Sequence, residues 1–179
     1  MLFFDVDGVL NFPAYPFKEY IVTIETAGRA KNAFTKNFSD EYVDIRVRFH
    51  TALPAWLAEL GEVFELAWAT TWGHQANTYL SPLLGLGDLP VVEFNEPNYE
   101  LVRRNYIAEW KWDNIVPFAG GRPFVFVDDR AARVATNFPM RLGATQAALD
   151  APMGLTREHV DALLRFAATL APGVAHHGP

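Results

Sequence analysis

The chain of 179 residues contains no cysteine. This absence excludes a fold held by disulfides, a metal site built from thiolates and a cysteine nucleophile. An excess of basic residues is also lacking, because the formal net charge is −6. Proteins that grip nucleic acid by charge alone usually present a basic surface, so this charge argues against that mode of binding while leaving a local basic patch open.

Long hydrophobic runs are missing as well. No apolar stretch approaches the roughly 18 residues that a membrane-spanning helix needs, and no basic segment precedes the short apolar run at the N-terminus, as a secretory signal would require. We therefore expect no membrane partner and a cytoplasmic location. With 50% hydrophobic and 20% charged residues, the composition is typical of a globular protein. The length predicts one domain, over residues 1–171. The last residues, 172–179, have the look of a disordered tail.

Short apolar runs alternate with helical patterns along the chain. The runs are too short for buried helices and predict strands, which cover residues 2–6, 63–70, 89–94, 123–127 and 144–149. Apolar residues at helical spacing predict helices at 51–61, 74–87, 108–118 and from Thr156 onward. Thr51 and Thr156 are the predicted N-caps, and Gly61 and Pro117 are predicted to end their helices. The alternation indicates an α/β fold with a mainly parallel sheet flanked by helices.

Residues 12–50 interrupt this pattern. The stretch "EYIVTIET" (19–26) predicts a strand, and "VDIRVRFH" (43–50) alternates between apolar and polar residues, so together they predict a β-hairpin. Arg46 and Arg48 share the polar face of the second strand. They are candidates for lining an anion groove, although the pattern favours an ordinary exposed strand face with alternating charge.

Three of the predicted strands end in reactive side chains. In strand order they are Asp5 and Asp7, Thr70 and Thr71, and Asp128 and Asp129. The carboxyl ends of parallel strands meet at one edge of the sheet, where ligands bind. Carboxylates crowded at such an edge repel one another unless a cation lies between them. Oxygen ligands without cysteine or paired histidine favour a hard ion, so Mg²⁺ is the predicted cofactor.

A site of this kind suits phosphoryl transfer. The metal neutralises phosphate charge, and a carboxylate can attack phosphorus to give an aspartyl phosphate. A lysine should also be present to stabilise the charge on the transferring group. Of the four lysines in the chain, only Lys111 lies beyond Thr70. It falls in the predicted helix that precedes the fourth strand.

The order of these residues resembles the four motifs of the haloacid dehalogenase superfamily. The matching elements are DVDGV (5–9), an apolar strand ending in Thr70, Lys111 and VDD (127–129). The resemblance implies a Rossmann-like fold and assigns roles in a phosphoryl-transfer reaction. Asp5 would be the nucleophile, and Asp7 the general acid and base. Thr70 would hydrogen-bond the phosphoryl oxygens, and Lys111 would pair with Asp5 and phosphate.

The same resemblance implies the metal ligands and the subclass. Mg²⁺ would be held by Asp5, Asp128 and the backbone carbonyl of Asp7, with Asp129 assisting directly or through water. Dehalogenases of the superfamily lack the second aspartate, whereas phosphatases and phosphomutases keep it, so Asp7 makes the chain resemble a phosphatase. Neither residues 12–50 nor the residues between Thr70 and Lys111 leave room for a large cap domain. A β-hairpin flap and an open site are therefore expected.

A narrower likeness covers most of the chain. The stretches FHTALPAWLAELG (49–61), WATTWGHQAN (68–77), PFVFVDD (123–129) and GLTREHVDALL (154–164) resemble the haloacid dehalogenase domain of Swiss Army Knife RNA repair proteins. This likeness implies removal of a terminal phosphate, with nucleic-acid ends or nucleotides as the phosphorylated substrate. A small phosphorylated metabolite is the competing substrate, and a non-catalytic domain that binds phosphate or protein is the competing function. The order of the motifs excludes a response-regulator receiver, in which the threonine and lysine follow all the acidic residues, because here the acidic pair Asp128 and Asp129 comes after Lys111.

Residues just past Thr70 are candidates for substrate contact. Thr71 adjoins the predicted phosphate site, Trp72 could stack on a base, and His74 could bind a phosphate or leaving group. For Trp72, packing in the core is the interpretation that the pattern favours. For His74, a capping or surface position at the start of a helix is favoured.

Overall fold

The computed structural model describes residues 1–25, 42–95, 107–135 and 145–170. Its strands are β1 (Leu2–Phe4), β2 (Phe17–Glu25), β3 (Tyr42–His50), β4 (Leu66–Trp68), β5 (Phe124–Asp128) and β6 (Gln146–Asp150). Its α-helices are α1 (Leu53–Gly61), α2 (Ile107–Ala119), α3 (Ala132–Ala135) and α4 (Arg157–Leu170). Four strands form one sheet in the order β4-β1-β5-β6, and β2 pairs with β3 in a separate hairpin.

The four-stranded sheet is parallel throughout, with β1 between β4 and β5. Side chains alternate across a strand, so Leu2 and Phe4 of β1 pack on one face and Phe3 packs on the other. Helices α1 and α4 cover the first face, and α2 and α3 cover the second. The predicted α/β class, with a parallel sheet flanked by helices, is confirmed. Because both faces are covered, the apolar strands need no polar side.

The hairpin inside residues 12–50 is confirmed in its described strands. Nine residue pairs join β2 and β3, from Phe17 opposite His50 to Glu25 opposite Tyr42. The alternation in β3 buries Val47 and Phe49 in the core and leaves the charged residues on the outer face. The backbone of Arg48 is tied to the segment after β1, because its carbonyl accepts a hydrogen bond from the N–H of Phe12 at 3.0 Å.

The strand predicted at 89–94 is reduced to a single bridge between Val91 and Trp68. Pro90 explains why, because it has no N–H with which to extend the pairing toward residue 89. The bridge itself uses the Pro90 carbonyl, which accepts the N–H of Trp68 at 2.8 Å, and the Val92 N–H, which donates to the Trp68 carbonyl at 2.8 Å. The N–H and carbonyl of Leu89 point away from β4 and are bonded instead by the side chain of Asn77, at 3.0 Å and 2.8 Å.

Three details of the predicted helices are also wrong. Residues 74–87 form a π-helical turn over Ala76–Leu80 and a 3₁₀ turn over Pro82–Leu84, because Pro82 cannot donate the next helical hydrogen bond. Helix α2 continues through Pro117 to Ala119. Ala52, rather than Thr51, precedes α1 and makes no side-chain cap.

The predicted cap of the last helix is confirmed, since the His159 N–H donates to Thr156 Oγ1 at 3.3 Å. The tail predicted at 172–179 lies outside the described residues. Among the helices of the described segments, none has the length and apolar character needed to cross a membrane.

Candidate functional site

The site begins where neighbouring parallel strands end. Asp5 directly follows β1, and Asp128 is the last residue of β5. The backbone N–H of Asp5 donates to the carbonyl of Val127 at 2.9 Å, which continues the pairing of the two strands by one step. Both strands run in the same direction, so their terminal carboxylates emerge at the same edge of the sheet. The pairing register of β1 with β5 therefore determines how closely the carboxylates of Asp5 and Asp128 approach each other.

Lys111 of helix α2 lies between these two acids. Its Nζ is 2.6 Å from Asp5 Oδ2 and 2.8 Å from Asp128 Oδ2. All three residues are buried, with relative exposures of 7% for Asp5, 2% for Lys111 and 0% for Asp128. Charges removed from water to this degree require partners with good geometry. The single ammonium serves two carboxylates, so the trio keeps an excess negative charge.

Burial and neighbouring charges shift the ionisation of this trio. Burial raises the pKa of Asp5 from 3.8 to about 6, and the negative charge of Asp128 adds to the effect although Lys111 opposes it. For Lys111, burial disfavours the ammonium, but Asp5 and Asp128 outweigh it and raise the pKa of the amine. The lysine therefore stays charged at neutral pH. Asp5, by contrast, takes up a proton at mildly acidic pH when no further cation is present.

Asp129 brings a third carboxylate to the same place. One oxygen from each of Asp5, Asp128 and Asp129 can be chosen so that all lie within 4.8 Å of one another. The pKa of Asp129 is raised by its partial burial and by the charge of Asp128. The cavity lining holds four carboxylates (Asp5, Asp7, Asp128 and Asp129) and two cations (Lys111 and Arg130), which leaves a formal charge of −2 that a divalent cation would balance. The all-oxygen donor set fits a hard cation but does not select Mg²⁺ over others.

Gly8 allows Asp129 to approach this closely. Its φ is +84°, a conformation that residues with a Cβ rarely adopt. A Cβ added at this position would lie 2.7 Å from Cγ of Asp129, closer than carbon atoms pack. The glycine in the "DGV" motif is therefore required by both its backbone conformation and the position of the acid.

A cavity of about 250 Å³ opens over the carboxylates. The residues that line it come from the strand ends, the start of α2 and the loop after β5: Asp5, Asp7, Gly8, Thr71, Ile107, Lys111, Asp128, Asp129 and Arg130. A phosphate group entering this space would meet the Lys111 ammonium and any cation held by the carboxylates. The arrangement can therefore place an anionic phosphorus centre next to a carboxylate oxygen.

The two threonines after β4 occupy different environments. Thr70, the predicted ligand of the phosphoryl oxygens, is buried with 1% exposure, and its Oγ1 accepts the N–H of Trp72 at 3.4 Å. Thr71 lines the cavity. The hydroxyl of Thr70 thus serves the turn after the strand in this structure, and Thr71 is the threonine that borders the open space.

Asp7 is placed at the cavity but not among the clustered carboxylates. Its side chain accepts hydrogen bonds from Asn11 and Trp72 instead. The predicted contribution of Asp7 to the metal is through its backbone carbonyl, and that contribution stays a prediction.

The other predicted substrate contacts are not among the residues that line the cavity. Trp72 is 1% exposed, so its ring faces are packed in the core, as the pattern favoured. His74 is exposed, with Nε2 3.3 Å from Glu93 Oε1. Arg46 and Arg48 both pair with Glu19 on the outer face of the hairpin. The structure does not bring these four residues together with the carboxylate cluster.

Asn11 and Arg130 are site residues that the sequence reasoning missed. Asn11 donates from Nδ2 to Asp7 Oδ1 at 2.8 Å, and nothing in its sequence context distinguishes it from a loop asparagine. Arg130 lines the cavity, with Nε 3.7 Å from Asp129 Oδ2. Its position directly after the "VDD" motif is the signal that could have identified it.

Comparison with known proteins adds no relative: no protein-family model, no curated protein and no solved structure matches the chain. No function is therefore transferred to the chain from a matched relative.

Proposed function

We propose that the protein is a Mg²⁺-dependent phosphomonoester hydrolase of the haloacid dehalogenase type, acting through an aspartyl phosphate on Asp5. The observation that carries the proposal is the Lys111 ammonium, held between Asp5 and Asp128 beneath an open cavity. Transfer of an anionic group requires a nucleophile and, beside it, a cation that stabilises the negative charge. Asp5 and Lys111 are placed to serve as this pair. The third acid, Asp129, completes a set of oxygen donors for a cation.

In the first step of the proposed reaction, a carboxylate oxygen of Asp5 attacks phosphorus. The bond between phosphorus and the leaving oxygen breaks, and protonated Asp7 gives its proton to that oxygen. Lys111 offsets the negative charge that the phosphoryl oxygens bring into a buried site. The products are the free alcohol, Asp7 as a carboxylate and the aspartyl phosphate on Asp5.

In the second step, water attacks the phosphorus of the aspartyl phosphate. Asp7, now a carboxylate, takes a proton from the water, and Asp5 departs as a carboxylate together with inorganic phosphate. The acid of the first step is therefore the base of the second, so one residue at the cavity serves both.

The metal belongs to the proposal because the donors fit it. Asp5 and Asp128 would hold Mg²⁺ with the backbone carbonyl of Asp7, and Asp129 would assist. Bound there, the ion would neutralise phosphate charge and favour the ionised form of Asp5. Lys111 and Arg130 leave the four carboxylates of the cavity lining with excess negative charge, which would otherwise repel a phosphate.

The substrate is proposed at the level of a phosphomonoester. Terminal phosphates of nucleic acids or nucleotides are the leading class, because of the resemblance carried by the residue patterns, and small phosphorylated metabolites are the competing class. Arg46 and Arg48 lie outside the cavity and are already paired with Glu19, so they contribute no argument for a polyanionic substrate.

The test is phosphate release in the presence and absence of Mg²⁺. Substrates would be p-nitrophenyl phosphate, 3′- and 5′-phosphorylated oligonucleotides and a panel of metabolites. Asp5→Asn should abolish turnover because an amide cannot form the acyl phosphate, whereas Asp44→Asn, on the exposed hairpin, should leave it unchanged. Brief exposure to substrate followed by acid quench and peptide mass analysis should locate the phosphoryl group on Asp5.

Two results would contradict the proposal. Turnover that survives Asp5→Asn would remove the nucleophile from the mechanism. Absence of turnover on every substrate would favour a domain that binds phosphate or protein without catalysis.

A further inference from the structure

Both oxygens of the Asp7 carboxylate accept a hydrogen bond from another side chain. Trp72 Nε1 donates to Oδ2 at 2.9 Å, and Asn11 Nδ2 donates to Oδ1 at 2.8 Å. Asp7 is only partly buried and borders the cavity, so it would otherwise be able to choose among several rotamers. Two donors from separate segments of the chain hold it in one orientation.

Trp72 is a rigid donor. Its side chain is 1% exposed and belongs to the core that packs against the sheet. An indole N–H can donate but cannot accept a hydrogen bond. The position of Nε1 therefore follows from packing of the whole ring, and a shift of Asp7 away from it would break a bond to a group that is buried from water.

Asn11 is held by the hairpin. Its Oδ1 accepts the backbone N–H of Arg48 at 2.8 Å, and this requires its Nδ2 to point to Asp7. The backbone of Asn11 also bonds to the turn that follows β1, with its N–H donating to the Val6 carbonyl at 2.8 Å. The amide is thus fixed at both ends and connects strand β3 to the acid.

The two donors also restrict where a proton on Asp7 can lie. Neither the indole N–H nor the amide NH₂ accepts a hydrogen bond, so the proton cannot occupy the lone pairs that face Trp72 and Asn11. It must occupy one of the remaining lone pairs of a carboxyl group that borders the cavity. The two donors therefore hold Asp7 in place and exclude its transferable proton from the lone pairs that face Trp72 and Asn11.

We infer that Trp72 and Asn11 are positioning residues for Asp7, and that their effect is largest on esters whose leaving group must receive a proton. This inference rests on the proposed function. An alkoxide is a poor leaving group and must receive a proton as its bond to phosphorus breaks, whereas p-nitrophenolate leaves without one. A carefully oriented acid is useful only for the first kind of substrate.

The test compares kcat/KM for ethyl phosphate with kcat/KM for p-nitrophenyl phosphate. This parameter includes cleavage of the ester bond, and the ratio for two substrates cancels any difference in the folded fraction of a variant. Trp72→Phe keeps an aromatic ring in the core and removes the donor, and Asn11→Ala removes the other donor. Each should lower the alkyl-to-aryl ratio roughly 10- to 100-fold, as misplacement of an acid by about an ångström does. Asp7→Asn should lower it further.

Trp68→Phe is the matched control. Trp68 is as deeply buried, and its Nε1 donates to Asn77 Oδ1 at 2.8 Å instead of to an acid. Its variant loses an indole hydrogen bond of the same length class and should leave the alkyl-to-aryl ratio at the wild-type value. A merely structural role for Trp72 would make the two tryptophan variants behave alike.

The outcomes separate the two proposals. Equal losses on both substrates in Trp72→Phe and Asn11→Ala would overturn the positioning role, and a wild-type protein that hydrolyses aryl but not alkyl phosphates would show that Asp7 is not positioned to give a proton to the leaving group. Absence of Mg²⁺-dependent turnover of either ester by wild type, or turnover that persists in Asp5→Asn, would instead overturn the proposed function itself.

Discussion

Two groups of ion pairs in this protein have the same shortest distance and very different surroundings. At the strand ends, Lys111 Nζ lies 2.6 Å from Asp5 Oδ2, with side-chain exposures of 2% and 9%. On the hairpin, Arg48 Nε lies 2.6 Å from Glu19 Oε2, with exposures of 34% and 39%. Water screens the second pair strongly and the first pair very little. Contact distance alone therefore does not rank these interactions.

The difference in burial indicates what each group of ion pairs contributes to the protein. Exposed pairs contribute little free energy and tolerate substitution. A buried cluster gains little net stability either, because desolvation offsets the attraction, but it is costly to disturb once formed. Its internal excess of negative charge also prepares it for a cation. The strand-end cluster is thus better explained by chemistry at the cavity than by stability of the fold.

The largest contrast should come from removing one cation in each group. Lys111→Met leaves Asp5 and Asp128 facing each other without a counter-charge, and we expect a loss of about 3–5 kcal/mol in the free energy of unfolding. Arg48→Met keeps the stem and the backbone bond to Asn11, and should cost less than about 1 kcal/mol. Urea unfolding of both variants in metal-free buffer measures the difference. Similar losses would break the comparison.

The second contrast is in the dependence of stability on pH. The folded state raises the pKa of Asp5 from 3.8 to about 6, so it binds the proton more tightly than the unfolded chain does. The contribution of Asp5 to stability is therefore complete below pH 3.8 and is lost as the pH rises from about 4 to 6. The loss is on the order of 3 kcal/mol.

This pH effect is measured against Asp5→Asn, without metal. The free energy of unfolding of the wild type minus that of Asp5→Asn should decline across the same interval, because the variant lacks the titrating group. Titrations elsewhere in the chain affect both proteins and cancel in this difference. A difference that stays constant with pH would show that Asp5 ionises as it does in the unfolded chain.

The third contrast is the response to a divalent cation. Mg²⁺ should raise the free energy of unfolding of the wild type, by about 2.7 kcal/mol when its free concentration is a hundred times the dissociation constant. Asp128→Asn removes one of the three clustered carboxylates and should weaken the response, whereas Asp44→Asn on the hairpin should keep it. Unfolding curves at increasing Mg²⁺ provide the measurement. Equal responses in the two variants would place the cation elsewhere.

The smallest contrast compares two glycines that both have positive φ. Gly8→Ala would bring a Cβ to 2.7 Å from Asp129 Cγ, whereas Gly73→Ala, at φ +54°, would meet no atom within 4 Å. Both substitutions incur backbone strain of about 1–2 kcal/mol, and Gly8→Ala should lose about another 1–2 kcal/mol through overpacking. It should also weaken the stabilisation by Mg²⁺. Equal destabilisation of the two variants would mean that Asp129 moves aside freely.

Much of the sheet and part of the site could be predicted from local pattern. Asp5 and Asp128 were recognisable because each ends a short apolar run, and parallel strands bring such ends together. Lys111 was located by its order among the motifs, and the hairpin by its alternation. The predicted strand at 89–94 is wrong because Pro90 lacks the N–H that would extend its single bridge to β4 into a regular pairing.

The remaining features depend on segments that are distant along the chain. The bond from Trp72 to Asp7 joins the turn after β4 to the turn after β1, and no local pattern predicts that encounter. The same holds for the separate fates of Thr70 and Thr71, since both follow the same strand and have the same chemistry. Only the direction of the turn buries one hydroxyl and leaves the other residue at the cavity.

The sequence by itself determined the four strands of the parallel sheet, the hairpin and the acids that end the strands, because apolar runs and their polar ends are local properties that need no distant partner. The tertiary structure decided which of these charges are buried, which are shared and which are screened. Burial and electrostatic environment arise only when separate segments pack together and exclude water. For that reason the 2.6 Å pair at Lys111 and the 2.6 Å pair at Arg48 differ in meaning although both join a cation to an acid.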